Sequence, residues 1–242
     1  GDAIEAFPSW SRDGSRVVFV RWTDQGLGTI MTVGANGGGE TRVTTQPGHY
    51  GTPRFSPDGR TIVFEKRSGG YLTSPEWSEN SGVYRVAAGG GTPTLITRGK
   101  GSPQFGAASD RLFMVGGGGD GLQLVSTDLN GEAERVHAQG ELVNDFTVSP
   151  DGRFLAFRQN YEAFAMPLMP GGQMVSVSSG ASSLPVTKAS TGGADYLGWS
   201  GGGNTLNWSM GPDLYSAALE RRWGCAGTGH QHELVRDQRR LR

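Results

Sequence analysis

The stretch Pro53-Arg54-Phe55-Ser56-Pro57-Asp58-Gly59-Arg60-Thr61-Ile62-Val63-Phe64 decides the fold, because its pattern returns along the chain. In such a segment proline sets φ at the first corner of a turn, and aspartate binds the backbone two residues on. Glycine then takes the positive φ that closes a hairpin. The strand that follows is apolar on both faces, whereas a strand covered on one face alternates apolar and polar residues. The stretch therefore predicts a tight turn that leads into a strand buried between two layers.

Five copies of this pattern occur along the chain. Two weaker copies lie at 103–114 and 197–208, and the three clear copies are centred on Asp13-Gly14, Asp58-Gly59 and Asp151-Gly152. The fourth motif position falls at residues 11, 56, 106, 149 and 200, which gives steps of 45, 50, 43 and 51 residues. Propeller blades of four strands repeat at about this length. We interpret six residues of the clear copies as structural turn residues: Asp13, Gly14, Asp58, Gly59, Asp151 and Gly152.

The segments after the copies complete each repeat. A third strand ends in a glycine turn, as in 29–33 before Gly39, and a short polar fourth strand follows, as in 42–45. Polar outer strands protect the edge of a blade from unwanted pairing. The sequence predicts an all-β β-propeller of four-stranded antiparallel blades over residues 1–219, with five blades represented and the last incomplete. The blades are predicted to start near residues 5, 51, 102, 144 and 194.

Residues 220–242 depart from the repeat and are predicted to form a basic, non-propeller tail. From Arg221 onward the segment has six arginines against Glu233 and Asp237, in a chain whose net charge is −1. It shows no strand alternation and no blade turn, so the fifth blade is expected to lack its fourth strand. A disordered or helical extension, a sequence foreign to the propeller and a patch for an anionic partner are the open interpretations.

Composition narrows the class of protein. Glycine makes up 41 of 242 residues, more than twice its usual share of about 7%, as expected for many tight turns. The net charge of −1 gives no electrostatic basis for a nucleic-acid partner, and no apolar run of about 18 residues could span a membrane. Cys225 is the only cysteine, so no disulfide supports the fold. The start at Gly1, without methionine or signal peptide, suggests a processed or excised piece.

The repeats resemble a known family. Ser56-Pro57-Asp58-Gly59-Arg60 and Ser149-Pro150-Asp151-Gly152-Arg153, each before an apolar strand ending in phenylalanine, look like the PD40 (WD40-like) repeats of TolB-type propellers. This resemblance covers roughly residues 5–218. A narrower similarity to the N-terminal propeller of periplasmic or secreted amidohydrolases is carried by 53–64, 82–86 and 155–164. In that family a metal-dependent hydrolase barrel follows the propeller. The resemblance therefore implies a periplasmic or secreted protein.

Several constellations could carry chemistry, and each has a plainer explanation. His230-Gln231-His232 matches the amidohydrolase metal motif, but no apolar strand precedes it, and a closed site usually has three or four ligands. Gly116–Gly121 fits G-x-G-x-x-G, but a phosphate cradle opens a helix and here another strand follows. His49 and His137 have no nucleophile at a meaningful spacing. A catalytic barrel would need about 250 further residues. We therefore predict no catalytic residue, no cofactor and no metal in this chain.

Carboxylates outside the turns keep an enzymatic alternative open. Glu65, Asp145, Glu162 and Asp195 are not part of the turn motif, and Asp145 and Asp195 are expected near the start of innermost strands, where they could face the channel mouth. Glycosidases use a pair of carboxyl groups. A self-contained, glycosidase-like propeller enzyme is therefore one alternative, and clustered acids with raised pKa would favour it.

The clearest insertion within a blade is the loop 69–80, which contains Tyr71, Leu72 and Trp77. Aromatic residues exposed on a loop are favoured at interfaces, so these three residues form a candidate docking loop. Covering a neighbouring blade or capping the channel is the alternative role.

The sequence thus predicts a non-catalytic propeller scaffold or binding module. We expect it to belong to a larger exported amidohydrolase, where it would pack on or gate a metal-dependent hydrolase domain that is absent here. A TolB-like protein-docking module is a further alternative. The expected partner is the catalytic domain of the parent chain or another protein. Whether five blades close into a ring stays open, and an unpaired blade face predicts poor solubility or self-association.

Overall fold

Five β-sheets make up the regular structure, and one 3-10 helix, Gly201–Gly203, is the only helix in the described part of the chain. The all-β, five-bladed propeller architecture predicted from the repeats is confirmed. The chain divides into two compact units, Gly1–Gly117 with Val125–Arg135, and Gly118–Leu124 with Val136–Arg242. The structure, a computed structural model, describes these residues: 3–67, 80–169, 171, 173–180, 185–219 and the backbone of 235–241.

The first two blades belong to the first unit, and each is a sheet of four antiparallel strands in chain order. Blade 1 consists of β1 (Ile4–Trp10), β2 (Arg16–Thr23), β3 (Leu27–Gly34) and β4 (Thr41–Arg42). Blade 2 consists of β5 (Tyr50–Phe55), β6 (Thr61–Lys66), β7 (Gly82–Ala87) and β8 (Thr94–Thr97).

The third sheet has five strands, which are divided between the two units. Blade 3 consists of β9 (Lys100–Phe105), β10 (Arg111–Gly118), β11 (Gly121–Asp128) and β12 (Arg135–Gly140). In the second unit a two-residue strand, which is β16 (Val175–Ser176), runs parallel to β12. This short strand covers the edge that the fourth strand of a blade would otherwise leave unpaired.

The last two blades belong to the second unit. Blade 4 consists of β13 (Val143–Val148), β14 (Phe154–Gln159), β15 (Glu162–Pro167) and β17 (Thr187–Lys188). Blade 5 has three strands of the repeat, β18 (Asp195–Ser200), β19 (Thr205–Met210) and β20 (Asp213–Leu219). Consecutive strands are antiparallel in both blades.

Part of the tail pairs with the last blade. A strand, β21 (Val235–Leu241), runs antiparallel to β20. The sequence shows no strand alternation there, and this segment differs from the expected disordered or helical extension. An unpaired strand edge offers a ladder of backbone N–H and C=O groups, and these can pair with a segment of any side-chain pattern. The pairing explains how a segment without the repeat motif lies in the fifth sheet.

The second strand of each blade forms the core. The prediction that these strands are buried on both faces is confirmed in β2, β6 and β14, where the central residues are 0–6% exposed. In the first unit, an apolar cluster between blades 1 and 2 includes Val18, Ile30, Ile62 and Phe64. In the second unit, another cluster between blades 4 and 5 includes Phe154, Leu206 and Trp208. Each fully buried large side chain stabilises the fold by about 1.5–3 kcal/mol.

Candidate functional site

The Ser-x-Asp-Gly turns follow the innermost strands and are built by their own hydrogen bonds. Ser56 Oγ donates to Asp58 Oδ1 at 2.5 Å, and the Thr61 N–H donates to Ser56 Oγ at 3.0 Å. Gly59 has φ +69°, the left-handed conformation that favours glycine. The hydrogen bond from Ser56 lowers the pKa of Asp58. This carboxylate is therefore engaged within the turn.

The first and fourth blades have the same turn geometry. Ser11 Oγ and Ser149 Oγ donate to Asp13 and Asp151, both at 2.6 Å, and the glycines that follow both have φ +70°. Hydrogen bonds from Ser11 and Ser15 lower the pKa of Asp13 to about 2. These aspartates are ionised at neutral pH and hold the turn closed.

A β-bulge lies near the start of every innermost strand, away from the turn, because the hydrogen-bond register shifts there. In four blades the bulge holds a residue other than glycine at a φ between +45° and +54°: Phe7, Thr52, Ser102 and Tyr196. Such a conformation costs of order 1 kcal/mol, and bulges re-aim side chains next to functional sites. The bulged ends of the innermost strands are therefore the candidate functional surface.

In the first unit this surface is organised around Glu65, which follows Phe64 in β6 and is only 8% exposed. Its Oε2 accepts a hydrogen bond from Arg67 Nε at 2.6 Å, and its Oε1 accepts one from the N–H of Ser102, the bulge residue of β9. A Cβ at Gly101 would lie 2.5 Å from Glu65 Oε1, so glycine makes this close approach possible. Glu65 therefore connects the second blade to the bulge in the innermost strand of the third blade.

Two arginines flank Glu65. The Arg67 guanidinium lies 4.9 Å from the ring centroid of Phe7, which is 40% exposed. Arg54 in β5 is partly buried, and burial lowers the pKa of its guanidinium, while the negative charge of Glu65 opposes this shift. We call Arg54, Glu65, Arg67 and Ser102 the Glu65 cluster. Because it has one carboxylate and two guanidinium groups, its net formal charge is positive.

In the second unit, Arg158 of β14 holds the repeat position that Glu65 holds in β6. Its Nε donates to Asn144 Oδ1 at 3.0 Å, and its Nη1 donates to Asp195 Oδ1 at 2.5 Å. Asp195 begins β18, so Arg158 connects the fourth blade to the fifth. Burial raises the pKa of Asp145, while the positive charge of Arg158 opposes this shift. We call Asn144, Asp145, Arg158 and Asp195 the Arg158 cluster.

Two exposed tyrosines accompany the Arg158 cluster. Tyr196 directly follows Asp195 and is 88% exposed, and Tyr161, in the turn after β14, is 78% exposed. Both residues have positive φ, +52° and +66°. The two segments are joined, because the Ala194 N–H donates to the carbonyl oxygen of Tyr161 at 2.6 Å. Two large aromatic side chains are thus held in solvent by backbone that residues other than glycine rarely adopt.

The first blade carries a groove on one face. Its volume is about 490 Å³, and its lining includes Trp10, Val17 and Phe19. Trp10 is 61% exposed, whereas Phe55 and Phe105, which precede the fourth motif position in their own blades, are both 7% exposed. This position is thus buried in blades 2 and 3, and also in blade 4, where it is Val148. The self-association expected from an unpaired blade face stays a prediction, and Trp10 is the residue to test it on.

The remaining predicted residues fall in several places. The docking-loop residues Tyr71, Leu72 and Trp77 and the histidines His230 and His232 lie outside the described residues.

The structure shows the surroundings of three other predicted features: the glycine-rich stretch, His49 and Glu162. Residues 116–121 join β10 to β11, so the glycine-rich stretch is a hairpin between strands. His49 lies with its ring centroid 5.0 Å from that of Trp22. Glu162 forms an ion pair with Lys188 at 2.6 Å. The Arg67 N–H donates to the carbonyl oxygen of His49 at 2.7 Å, so His49 contacts the Glu65 cluster through its backbone.

No metal centre or membrane span is visible in the part of the chain that is described. No group of three or more His, Cys, Asp or Glu side chains there could hold an ion. No described helix has the length and apolar character needed to cross a bilayer.

Sequence reasoning singled out Glu65, Asp145 and Asp195 but missed Arg158 and Tyr196. Extending the repeat comparison one residue beyond the phenylalanine of the second strand would have placed Glu65 and Arg158 at the same position. No sequence signal marks Tyr196, because residues other than glycine give no indication that they will adopt positive φ.

Comparison with known proteins agrees with the repeat motif. A family model described as the TolB β-propeller domain, PD40, matches residues 2–200. A search of curated protein sequences finds no significant match.

Solved structures with the same fold include three bacterial proteins. TolB from Acinetobacter baumannii is 15% identical with a TM-score of 0.66, over 90% of this chain and 52% of that chain. A putative TolB from Agrobacterium tumefaciens is 15% identical with a TM-score of 0.63, over 90% and 78% of the two chains. An oligogalacturonate lyase from Vibrio parahaemolyticus is 9% identical with a TM-score of 0.61, over 92% and 68%. This chain therefore spans about half the length of the Acinetobacter TolB. Because the family match covers most of its residues, the chain belongs to the TolB β-propeller family.

Proposed function

We propose that this chain is a non-catalytic, protein-docking propeller module and that it docks through the surface formed by Tyr161, Tyr196 and the Arg158 cluster. The observation that carries the proposal is the exposure of both tyrosines, 78% and 88%, at positive φ. Backbone strain is retained at functional sites when the surrounding structure enforces it. Tyrosine and arginine are also the side chains most enriched among residues that dominate binding energy at interfaces.

The engagement of the carboxylates supports binding rather than catalysis. Glu65 accepts hydrogen bonds from Arg67 and Ser102, Asp195 pairs with Arg158, and Glu162 pairs with Lys188. A general base or nucleophile needs a carboxylate that is available to its substrate. The docking role that we propose uses no metal and no cofactor.

A photo-crosslinking residue introduced at Tyr196 tests this proposal in a bacterium that exports the chain. We expect a discrete adduct that is weakened by Tyr161→Ala, because both tyrosines would contact one partner. The matched control places the same photo-crosslinker at Asn204, which is exposed and lies in the turn between β18 and β19, at the opposite end of the fifth blade from Tyr196. Adducts of equal yield at both positions, or none at Tyr196, would count against docking through this surface.

The partner that we propose is a hydrolase domain of a longer exported protein. The support is the similarity of 53–64, 82–86 and 155–164 to the propellers of periplasmic or secreted amidohydrolases. The DNA that flanks the reading frame tests this part, since an amidohydrolase barrel should be encoded in frame or in a shifted frame. If neither is found, the partner is a separate protein, and a periplasmic location then rests on the TolB likeness alone.

A glycosidase-like or lyase-like enzyme acting on sugars is the second candidate, and one observation favours it. Burial raises the pKa of Asp145, and the neighbouring Arg158 also forms an ion pair with Asp195. A carboxyl group whose pKa is raised by burial can serve as a general acid. The fold likeness to an oligogalacturonate lyase is compatible with it, as an analogy of fold only. Turnover of oligogalacturonate or another oligosaccharide by the purified chain, lost in Asp145→Asn, would establish this candidate.

A further inference from the structure

In blades 2 and 5, one face of the sheet packs on the preceding blade. Three positions of the repeat lie at the centre of that face: the residue before the fourth motif position and two residues of the second strand. In blade 2 they are Phe55, Ile62 and Phe64, which belong to the apolar cluster shared with blade 1. In blade 5 they are Trp199, Leu206 and Trp208, which pack in the cluster shared with blade 4. At these positions one blade therefore receives another.

The same three positions in blade 1 line the groove of about 490 Å³. They are Trp10, Val17 and Phe19, and the rest of the lining is also mainly apolar, with Ala6 and Val33 among its residues. The Trp10 side chain is 61% exposed. This face thus has the residues of a contact between blades, yet it is open to solvent at its largest side chain.

The charged side chains of the groove are paired with one another. Glu5 and Glu40 belong to its lining, and Arg21 Nη2 donates to both carboxylates at 2.6 Å. The Arg21 guanidinium lies 5.4 Å from the ring centroid of Phe19. Because each carboxylate already has a cationic partner, the groove favours an apolar surface over a charged ligand.

The last blade differs from the first in its outer face. Val18 and Val20 lie on the face of blade 1 that packs on blade 2. The same repeat positions in blade 5 are Asn207 and Ser209, and terminal repeats of repeat proteins typically have such a polar outer face. A head-to-tail contact would place Trp10 of one copy on Asn207 and Ser209 of the next. It would remove these polar side chains from water without supplying them with partners, which is unfavourable.

We propose that the groove of blade 1 is a self-association interface, in which two copies of the chain pack their first blades against each other about a two-fold axis. In such an arrangement the same patch contacts itself, so Trp10 of each copy packs on the groove of the other. Assembly ends at two copies, because both grooves are then used. This contact does not depend on the proposed docking role, since Tyr161 and Tyr196 are not part of the groove.

The size of the face indicates a dimer that dissociates on dilution. The three long strands of blade 1 have seven or eight residues each. With a rise of about 3.3 Å per residue and about 4.8 Å between strands, they form a face of about 25 Å by about 15 Å. Two such faces have a flat area of about 750 Å² in total, on the scale of weak interfaces, which bury less than about 1,200 Å². We therefore expect a dissociation constant in the micromolar range.

Sedimentation velocity of the full chain over a series of concentrations tests this interface. We expect a reversible equilibrium between monomer and dimer, with no larger species. Trp10→Ser removes the indole from both sides of the contact and should weaken dimerisation at least about tenfold. Ala35 is exposed and lines the groove. Ala35→Glu should weaken the dimer similarly, because it places like charges in the apolar contact.

Two variants serve as controls. Met169 is 61% exposed, as Trp10 is, but it is not part of the groove, so Met169→Ser should leave the dimer unchanged. Asn207→Asp should also have no effect, because a head-to-tail contact alone would use that face of blade 5.

A monomer at every concentration would overturn the interface, as would species larger than a dimer. Weakening by Asn207→Asp as strong as that by Trp10→Ser would also overturn it. The concentration series of the unsubstituted chain decides the outcome even if a variant fails to fold. Because it contains no other protein, its failure is distinct from a failure of docking.

Discussion

The Glu65 cluster of the first unit and the Arg158 cluster of the second use the same repeat position with opposite charge. Both central residues follow the buried phenylalanine of a blade's second strand, and both bind the innermost strand of the next blade. Glu65 is 8% exposed and binds a backbone N–H. The partner of Arg158, Asp195, has a side chain that is 55% exposed. One contact is enclosed by protein, and the other is open to solvent.

This difference separates the structural role of the repeat position from the groups that remain exposed around it in each unit. The position holds the next blade in both units, so the contact itself is structural. In the first unit both oxygens of the Glu65 carboxylate accept hydrogen bonds, and the side chain is enclosed. In the second unit the open ion pair lies beside Tyr161 and Tyr196, which are exposed. The repeat can therefore keep a contact between consecutive blades at the same position while a different surface surrounds it in each unit.

Glu65→Ala should have the largest effect on stability. It removes the acceptor of the Ser102 N–H and of Arg67, whose side chain is 46% exposed, and leaving a partly buried donor unpaired costs about 2 kcal/mol. Urea unfolding should show that loss in the free energy of unfolding, and amide exchange at Ser102 should become faster. Glu162→Ala is the matched control, since its side chain is 28% exposed and its ion pair is worth at most about 1 kcal/mol. Equal losses in the two variants would show that Glu65 is no more enclosed than a surface residue.

Arg158→Ala should cost less, about 1 kcal/mol, although it occupies the same repeat position. The side chain of Arg158 is 25% exposed, and Asp195 remains in contact with water after the change. The difference between the two variants in the free energy of unfolding thus measures how much burial strengthens the contact between neighbouring blades. If Arg158→Ala destabilised the chain as much as Glu65→Ala, the contrast between the units would be wrong.

Tyr196→Gly should leave stability unchanged or raise it by about 0.5 kcal/mol. Glycine adopts φ +52° without steric cost, and the gain is partly offset by the greater freedom of glycine in the unfolded chain. Tyr215→Gly in the same blade is the control. It removes a ring stacked on Trp208, with the centroids 6.0 Å apart, and should cost about 2 kcal/mol. A similar loss in Tyr196→Gly would show that the Tyr196 side chain stabilises the fold and is not held out for binding.

The sequence carries enough information for the blades and too little for the surface. The turns could be predicted because Ser56, Asp58 and Gly59 each have a local role, and local hydrogen bonds do not depend on distant residues. The buried second strands could be predicted because a strand between two layers is apolar on both faces. The partner of Glu65 could not, since the Ser102 N–H is a backbone group 37 residues away. Positive φ at Tyr196 likewise follows from packing around a bulge and not from residue type.

The tail is a second example of structure that the side-chain pattern does not predict. Residues 235–241 have no alternation from which a strand could be predicted, yet they pair with β20. Pairing at a sheet edge depends on backbone groups that every sequence shares, so side-chain pattern alone does not report it.

The pH dependence of stability should be the smallest effect, and it should have opposite signs in the two units. The pKa of folded Asp13 is about 2, below its value of 3.8 in the absence of contacts, so its contribution is present above pH 3.8 and is lost as pH falls toward 2. The pKa of folded Asp145 is raised, so its contribution is present below its unfolded pKa and is lost as pH rises through the folded value. At pH 7 an ionised Asp145 therefore destabilises the fold, with Arg158 as its neutralising neighbour.

Asp13→Asn should lower the midpoint of thermal unfolding at pH 7 and have little effect near pH 2, whereas Asp145→Asn should raise the midpoint at pH 7 and have little effect in acid. A lower midpoint for Asp145→Asn at pH 7 would mean that the electrostatic attraction to Arg158 outweighs the burial of the carboxylate, and the Arg158 cluster would then be as closed as the Glu65 cluster.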